Sequence, residues 1–389
     1  MNLSQTFLEH FESLEDPRLN NHNLRHNLMD ILVITILATI CGADTWPEIS
    51  EFGIAKCEWL RTFLELPNGI PSHDTFGRVF SLINPDKFES CFCDWIGSLE
   101  IDRDREIIAI DGKTLRSSGN RRKNKKALHL VSAWAVNNRL VLAQVKTEER
   151  SNEIEAIPRL LNILDISNSI VTIDAMGCQK SIAQQIIDQK ADYVLSLKEN
   201  QATLYQDIVS IFAIGEARQF KKMLNARKVE KVHDHGRTET RRYTLISARD
   251  PIMFQFRWPG MKSIGMLEVT RTTNNEIERS KRFFITSLDE DIDGFMRAAR
   301  KHWCIEINLH WSLDVSFKED LNRARAGHSA QNLATVRRIA LNLLTQEKTH
   351  KNGIACRRKT AGWNHKYLMD VLKMGKIKKS SSLSDLNRS

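Results

Sequence analysis

The chain has 389 residues, which is too long for a single ordinary hydrophobic core and predicts two or three domains. Hydrophobic residues make up 41% of the chain and charged residues 27%, a composition typical of a globular protein. Lysine and arginine number 57 against 48 aspartates and glutamates, so the net charge of +9 favours a nucleic acid or an anionic membrane as partner.

The cysteines and the first residues of the chain argue against several classes of protein. Seven cysteines are scattered along the sequence, and the closest two, Cys91 and Cys93, do not have zinc-knuckle spacing. Such an odd, unpatterned set predicts a reducing cytosol. The N-terminus lacks the basic and then apolar segments of a secretory signal. The most apolar stretch, residues 31–40, is too short to cross a bilayer, so it predicts a buried helix and no membrane partner.

Residues 1–100 predict a helical domain. A mostly buried helix is expected over residues 28–38. Ser72 is a favourable N-cap for a second helix that holds the apolar residues of 76–82. A further apolar stripe at 88–96 fits core packing better than a contact with DNA.

Residues 101–200 predict the first part of an α/β domain. The order is strand, strand, strand, helix, strand, helix, strand, so an antiparallel triplet precedes the parallel crossovers. This order matches a ribonuclease H-like fold, a mixed sheet with flanking helices. The expected strands are residues 107–110, 128–136, 140–146, 170–173 and 193–197, and the expected helices are residues 154–164 and 182–187.

Residues 201–290 break this alternation and predict a β-rich insertion. Its expected strands are residues 241–246, 267–271 and 283–286. Residues 291–345 return to a helical pattern and are expected to complete the catalytic core. The remaining residues, 346–389, form a basic C-terminal segment with one short helix at 367–372.

Two aspartates mark the ends of two apolar strands. Asp111 follows the run Ile107–Ile110, and Asp174 follows the run Ile170–Ile173. If the two strands are neighbours, the two carboxylates lie a few ångströms apart. A buried carboxylate without a partner is costly, and a pair of them is the arrangement that bridges two metal ions at a phosphodiester. For either residue alone, an Asp that caps the next turn is the better explanation, and only the two together favour the paired site.

A third acid is expected in residues 301–314. Apolar residues occupy every odd position there, which by period predicts a strand, but such a strand would be unusually long. A helix through about Leu313, followed by a short strand or turn, is the better interpretation. On that helix His302, Glu306, His310 and Asp314 share one face. This face is also compatible with a transition-metal site made of those four residues, or with a plain solvated surface.

Several local motifs resemble the H-repeat-associated transposases, an insertion-sequence family of the DDE superfamily. The resemblance runs through most of the chain. It is carried by residues 16–18 (DPR), 69–76 (GIPSHDTF), 109–116 (AIDGKTLR), 151–154 (SNEI), 172–179 (TIDAMGCQ), 197–201 (LKENQ), 235–237 (HGR), 302–306 (HWCIE), 309–311 (LHW), 332–334 (NLA) and 337–338 (RR).

The resemblance implies an acidic triad of Asp111, Asp174 and Glu306 that binds two Mg²⁺ ions, with Mn²⁺ able to substitute. It also implies that the N-terminal domain binds transposon ends and that a β-rich insertion precedes the glutamate helix. The implied partner is double-stranded DNA, both transposon ends and target, bound by a homodimer. The implied location is the prokaryotic cytoplasm, in association with the nucleoid.

The chain departs from the wider superfamily around the glutamate. A Tyr, an Arg and a Lys are common at the positions held here by Ala299, His302 and Leu313. The auxiliary DNA contacts are therefore expected to differ, with His302, Arg300 or Lys318 as substitutes. For the candidates in the basic loop after Asp111 and in the insertion, an ordinary solvated charge is the alternative. The full set of candidate DNA contacts is Lys113, Arg116, Arg121, Arg122, Lys198, His235, Arg237, Arg241, Arg300, His302 and Lys318.

Two tryptophans each have two possible roles. Core packing is the favoured role of Trp258 and Trp303, and stacking on an unpaired base is the alternative.

The predicted function is Mg²⁺-dependent strand cleavage and strand transfer at the inverted-repeat ends of an insertion sequence. The alternatives are an inactive descendant that binds DNA or represses its element, and a host nuclease without strand transfer.

Overall fold

The computed structural model describes residues 9–19, 24–99, 101–120, 122, 124–148, 152–234, 237–249, 258–273 and 276–373. The chain divides into two compact units. We call residues 103–113 and 129–310 the core unit. We call residues 1–102, 114–128 and 311–389 the helical unit, of which the parts named above are described. The five-segment division predicted from the sequence stays a prediction.

The N-terminal part of the helical unit consists of short helices. Asn27 caps the first of them through its side chain, and Ser72 Oγ accepts the backbone N–H of Thr75 at 3.3 Å, as the sequence predicts. The first helix is buried on almost every side, in agreement with its apolar sequence. The helices are α1 (Leu28–Ile40), α2 (Trp46–Ala55), α3 (Cys57–Leu60), α4 (His73–Leu82) and α5 (Pro85–Ser98).

The core unit is built on a sheet that begins with five strands. They are β1 (Ile107–Leu115), β2 (Leu128–Ala135), β3 (Leu140–Lys146), β4 (Ile170–Ile173) and β5 (Asp192–Leu197). Their order across the sheet is β3-β2-β1-β4-β5, with β1, β4 and β5 parallel and β2 antiparallel to β3. This is the predicted ribonuclease H-like order, so the α/β class of the fold is confirmed.

Two helices connect the parallel strands. Helix α6 (Glu153–Asn162) lies between β3 and β4 in the chain, and α7 (Lys180–Asp188) lies between β4 and β5. The two helices pack on each other, α6 also on β3 and α7 also on β5. Their apolar faces are buried, as the 3.6-residue period of the sequence requires.

The β-rich insertion extends the same sheet. Helix α8 (Ala202–Ala217) comes first, followed by β6 (Asn225–Asp234), β7 (Arg237–Ser247), β8 (Ser263–Thr273) and β9 (Glu276–Thr286). These four strands are antiparallel to one another, and β9 pairs antiparallel with β5 to give a nine-stranded sheet, β3-β2-β1-β4-β5-β9-β8-β7-β6. The sequence analysis missed α8 and β6, and it found only parts of the other three strands.

The segment around Glu306 is helical, but not as a regular α-helix. Helix α9 (Ile292–Lys301) is followed by π-helical turns at Ile305–His310 and Ser312–Ser316. A 3-10 turn, Glu319–Leu321, comes next. The predicted helix is therefore confirmed and runs three residues further than Leu313. Of the short strand or turn expected after it, the turn is formed.

The odd-numbered apolar residues of this segment fall into two sets. One set is buried and recurs every four residues: Ile305, Leu309, Leu313 and Phe317. The other set is exposed and has the same spacing: Trp303, Ile307, Trp311 and Val315. Two helical stripes, each with a period of four, therefore add up to the alternating pattern that imitates a strand.

The C-terminal part of the helical unit contains α10 (Ser329–Gln346), α11 (Ile354–Trp363) and α12 (His365–Lys373). Helix α10 is almost entirely buried and packs against α1, α4, α5, α11 and α12. Its buried Arg338 pairs with buried Glu319 at 3.1 Å, as a buried charge requires. Among the described helices, none combines the length and the apolarity that crossing a bilayer would need.

The hydrogen bonds that Glu106 accepts from the β2–β3 hairpin can be tested by substitution. Its buried carboxylate accepts the backbone N–H groups of Ile107 and Asn137 at 2.8 Å and that of Asn138 at 3.1 Å, so it fixes the β2–β3 hairpin. Glu106→Ala leaves these donors without their acceptor, and we expect the free energy of unfolding to fall by about 3 kcal/mol in urea denaturation. Glu106→Gln keeps one acceptor oxygen and is expected to cost about half as much.

The control for Glu106 is Glu155→Ala, an exposed acid of α6 in the same unit, which should change the free energy of unfolding by no more than about 0.5 kcal/mol. Equal losses for the two alanine variants would contradict the role given to Glu106.

Candidate active site

Two predicted acids lie side by side at one edge of the sheet. Strands β1 and β4 are parallel and in register, with Ile110 opposite Ile173. The next residue on each strand is an aspartate, Asp111 on β1 and Asp174 after β4. Residues 107–110 and 170–173 before them are buried, and each aspartate is the first charged side chain after its run. The register therefore brings the two carboxylates together, as predicted.

Glu306 lines the same cleft as the two aspartates. The cleft has a volume of about 970 Å³. Glu306 reaches it from the first π-helical turn after α9, and its side chain is exposed. The three acids come from parts of the chain 63 and 132 residues apart, and the fold brings all of them to the walls of one cavity.

The electrostatics of the cleft follow from this crowding of acids. The pKa of Asp111 is raised to about 7, chiefly by burial. The charges of Glu153, Asp174 and Glu306 act in the same direction, and the Gly112 N–H opposes them. Burial and Glu153 also raise the pKa of Asp174, which backbone N–H groups and Lys198 partly offset. Repulsion of this kind is relieved by a bound cation.

Glu153 and His129 are site residues that the sequence analysis did not identify. Asn152 caps α6 by accepting the N–H of Ile154, which fixes Glu153 at the first turn of that helix. There its Oε1 lies 2.8 Å from Nε2 of His129 on β2. The only signal in the sequence was the position of Glu153 in the Ser-Asn-Glu-Ile motif, which supported the resemblance without suggesting a place in the cleft.

Gly112 packs tightly beside this pair. A Cβ at this position would overlap Oε1 of Glu153 and would lie 2.6 Å from Nε2 of His129. The residue after Asp111 therefore has to be a glycine so that Glu153 can approach the end of β1. The requirement is one of space, since the backbone of Gly112 needs no positive φ.

Two histidines flank the acids. His302 Nδ1 lies 3.1 Å from Oγ1 of Thr172 on β4, and burial with the nearby charge of Arg282 lowers the pKa of His302 to about 4. At neutral pH its ring is uncharged. Its predicted place as a substitute for the superfamily arginine stays a prediction. His310 Nδ1 lies 3.5 Å from Oδ2 of Asp111.

The cleft also holds cations and an aromatic ring. Lys198 follows β5, is exposed and lines the cleft, which agrees with its predicted place near the acids. The guanidinium of Arg282 lies 4.8 Å from the ring centroid of Trp303. Trp303 is 43% exposed and lines the cleft, so the prediction of core packing was wrong for this residue. Trp258 is 9% exposed, in agreement with that prediction.

Other candidate DNA contacts of the core unit do not line the cleft. Arg300 pairs with Glu230, and Arg241 pairs with Glu230 at 3.3 Å and Glu239 at 2.7 Å. Arg237 is half exposed and lies 3.6 Å from Glu239. Lys113 is buried, which leaves its side chain little access to a DNA backbone. Whether any of them binds DNA stays a prediction.

The remaining candidates belong to the helical unit or lie outside the described residues. Arg116 and Arg122 are exposed on the segment after β1. Lys318 lies 3.4 Å from Asp44. Arg121 and His235 fall outside the described residues.

The donor chemistry of the cleft fits divalent magnesium, because carboxylate oxygens are the ligands that Mg²⁺ prefers. Within the described part of the chain, however, no three His, Cys, Asp or Glu side chains are close enough to hold one ion together. The transition-metal site considered for His302, Glu306, His310 and Asp314 is therefore not formed. The acids Asp111, Asp174 and Glu306 share a cleft without forming a closed set of ligands.

Comparisons with known proteins identify the family. The family model described as "Transposase DDE domain" matches residues 102–343, and the model described as "DDE_Tnp_1-associated" matches residues 8–96. "Putative transposase YncI" of Escherichia coli O157:H7 is 41% identical over 95% of this chain and 94% of its own length. "H repeat-associated putative transposase YhhI" of Escherichia coli K12 is 38% identical over 94% of this chain and 97% of its own length.

A third relative matches over a much shorter segment, and one solved structure is more distant. "Inactive transposase YbfQ" of Escherichia coli K12 is 40% identical, but the match covers only 19% of this chain and 87% of that protein. The cryo-EM structure of a piggyBac transposase synaptic complex with hairpin DNA matches with a TM-score of 0.42 and 10% identity, covering 95% of this chain and 76% of that one. This likeness is too low to carry an argument.

The packing of Gly112 can be tested by adding one methyl group. In Gly112→Ala the new Cβ displaces Glu153 or His129, and we expect a loss of about 1–3 kcal/mol in the free energy of unfolding, measured by urea denaturation. Gly97→Ala is the control. Its Cβ would meet nothing within 4 Å on α5, so it should be neutral or stabilising by up to about 1 kcal/mol. Equal effects at the two positions would contradict the packing described above.

The buried ring of His302 should make stability depend on pH. Its pKa of about 4 in the fold lies below the value of 6.5 for a free histidine, so between these values the unfolded chain binds a proton that the folded chain does not. The part of the free energy of unfolding that depends on a neutral His302 is therefore complete above pH 6.5 and is lost as the pH falls towards 4. We expect a loss of about 2 kcal/mol, which allows for the partial exposure of the ring.

His302→Asn should remove this part of the pH dependence, and the measurement is urea denaturation between about pH 4 and pH 7.5. The control is His73→Asn, which replaces an exposed histidine. If the stability of His302→Asn fell with pH as steeply as that of the wild type, the environment assigned to the ring would be incorrect.

Proposed function

Because the chain belongs to the transposases with a DDE domain, we propose that it cleaves DNA strands at the ends of an insertion sequence and transfers them to a target. The observation that carries this proposal is the convergence of Asp111, Asp174 and Glu306 on one cleft. The acids come from two neighbouring parallel strands and a helix, so their placement depends on the whole core unit rather than on one local motif.

The three acids would hold Mg²⁺, for which Mn²⁺ would substitute. When bound, two such ions lower the pKa of a water or of a DNA 3′-hydroxyl and neutralise charge at the phosphodiester. The chain's own residues supply the rest of the site. Lys198 is placed to attract a phosphate beside Asp174. Glu153 and His129 fix each other at the end of β1 and so keep the Asp111–Gly112 segment in place.

The proposed partner is double-stranded DNA, both the inverted-repeat ends of the element and the target. We propose that two copies of the chain act together, because two ends have to be cut and joined in one event. One cleft with one set of acids serves both reactions in this scheme, since cleavage and transfer attack the same kind of bond with different nucleophiles.

An inactive DNA-binding descendant is the second candidate function. The observation in its favour is that one relative is named as inactive. Against it, all three acids are present here and line the same cleft.

The test uses the purified full chain, Mg²⁺ and labelled duplexes that carry the element ends. We expect joined products from the wild type, and a loss of at least about a hundredfold in the cleavage rate for Asp111→Asn, Asp174→Asn and Glu306→Gln. Asp111→Asn should fold at least as stably as the wild type without metal, because it removes one of several repelling charges. Glu155→Gln, an exposed acid of the same unit, is the matched control and should retain full activity.

The products separate the candidate functions. Cutting without joining would indicate a nuclease, and a gel shift without cutting would indicate an inactive DNA-binding protein. Full activity in any of the three acid variants would show that the acids have been assigned wrongly.

A further inference from the structure

A second concave surface, in the helical unit, has the opposite charge to the acidic cleft. It has a volume of about 990 Å³ and shares no residue with the acidic cleft. We call its five cations the basic cradle: Arg116, Arg122, Lys125, Lys126 and Arg325. Four of them follow β1 within eleven positions, and the fifth comes from a segment two hundred residues later.

Hydrogen bonds hold the two segments of the basic cradle together. Backbone bonds join Asn120 and Lys125 in both directions, at 2.8 and 3.0 Å, and so close the loop. Lys125 Nζ donates to the backbone carbonyl of Arg325 at 2.8 Å, and Arg325 Nε donates to that of Ser117 at 2.7 Å. The concave surface is therefore preformed, because hydrogen bonds between the two chain segments define its shape without a ligand.

Cations dominate the charged residues that line the basic cradle. Of the described residues that line it, none is acidic, and the other lining residues are Thr114, Ser117, Gly119, Asn120, Asn124 and Ala127. One acid nearby, Asp320, contacts Arg116 through its backbone N–H at 3.2 Å and its Nε at 3.3 Å. The Arg116 side chain is still 84% exposed. An open polar surface with this surplus of positive charge attracts an extended polyanion.

We propose that the basic cradle binds the sugar–phosphate backbone of duplex DNA and does so without reading its sequence. This inference rests on the proposed function, which makes DNA the partner, and it adds which surface holds the DNA backbone. Five cations over such a volume exceed what a single phosphate needs, whereas a duplex presents one charge for each 1.7 Å or so of its axis. Arginine and lysine contacts to phosphates fix position and affinity but carry no direct sequence information.

A triple variant tests the proposal without dismantling the loop. Arg116→Gln, Arg122→Gln and Lys126→Gln remove three charges and leave Lys125 and Arg325, which hold the segments together. The matched control is Lys190→Gln, Lys221→Gln and Lys222→Gln, which removes three exposed charges from the core unit. Binding of fluorescent duplexes is measured by anisotropy from about 50 to 300 mM salt, with an element end and a scrambled duplex of equal length.

The expected result is a weaker and less salt-dependent complex. Each phosphate contact contributes about 0.9 to the slope of log K against log salt, so the triple variant should reduce the slope by about 2–3. The affinity at about 100 mM salt should fall at least tenfold, and equally for both duplexes. The control variant should change the slope by less than about one. Lys126→Gln alone should reduce it by about one, which keeps the test decisive if the triple variant folds poorly.

Three results would overturn the proposal. An unchanged slope would show that the basic cradle does not contact phosphates. A loss confined to the element end would show that it reads sequence. A loss of polyglutamate binding with unchanged DNA binding would identify an acidic protein as the ligand. A cleavage assay on the same wild-type preparation separates the two hypotheses. If the wild type cleaves DNA and the triple variant binds DNA with an unchanged slope, only the role of the basic cradle is refuted. If the wild type does not cleave DNA and the triple variant has a reduced slope, only the proposed function is refuted.

Discussion

The in-register parallel pairing of β1 and β4 decides where the chemistry of this protein lies. Because Ile110 lies opposite Ile173, the residue that follows on each strand emerges at the same edge of the sheet. A slip of one residue would send one aspartate to the opposite face. The apolar residues before each aspartate hold the register, since they are buried on both faces of the sheet. Hydrophobic burial thus keeps two mutually repelling carboxylates together.

The strands of the β-rich insertion belong to the same sheet as the strands that lead to Asp111 and Asp174. Strand β9 pairs with β5, so the hydrogen bonds of one sheet run from the insertion to the strand beside β4. Arg282 and Phe283 of β9 line the cleft, and Arg282 lies over Trp303. The insertion therefore supplies a wall of the cleft through a strand and not through a separate module. Its far strands pair arginines with glutamates across the ladder, which leaves Arg241 mostly engaged within the protein.

The sequence was informative where apolar runs are short and fully buried. The strand that leads to Asp174 was predicted to the residue, whereas β1 begins where predicted but continues past Asp111 to Leu115. The runs 107–110 and 170–173 are short and fully buried, which is the pattern of an inner strand. The long strands of the insertion were found only in part, since the outer half of β9 is exposed and polar and has no periodic signal. Strand β6 was missed for a similar reason.

Segment 303–317 shows a different limit of sequence analysis. Its alternating pattern arises from a buried and an exposed apolar stripe on one helix, and the sequence does not show which of the two is solvated. The length of the segment, not its period, gave the correct element. Glu153 was missed because a glutamate in the first turn of a helix is ordinary there. Only the three-dimensional structure shows that it lies beside Gly112 and His129 and acts on the charge of Asp111.

The crowding of like charges around Asp111 has an evolutionary consequence. These residues lower the stability of the metal-free fold, so no folding defect removes a copy that has lost one of them. Such a copy stays folded. Under the proposed function, selection for movement of the element would maintain the acids, since the fold itself does not require them.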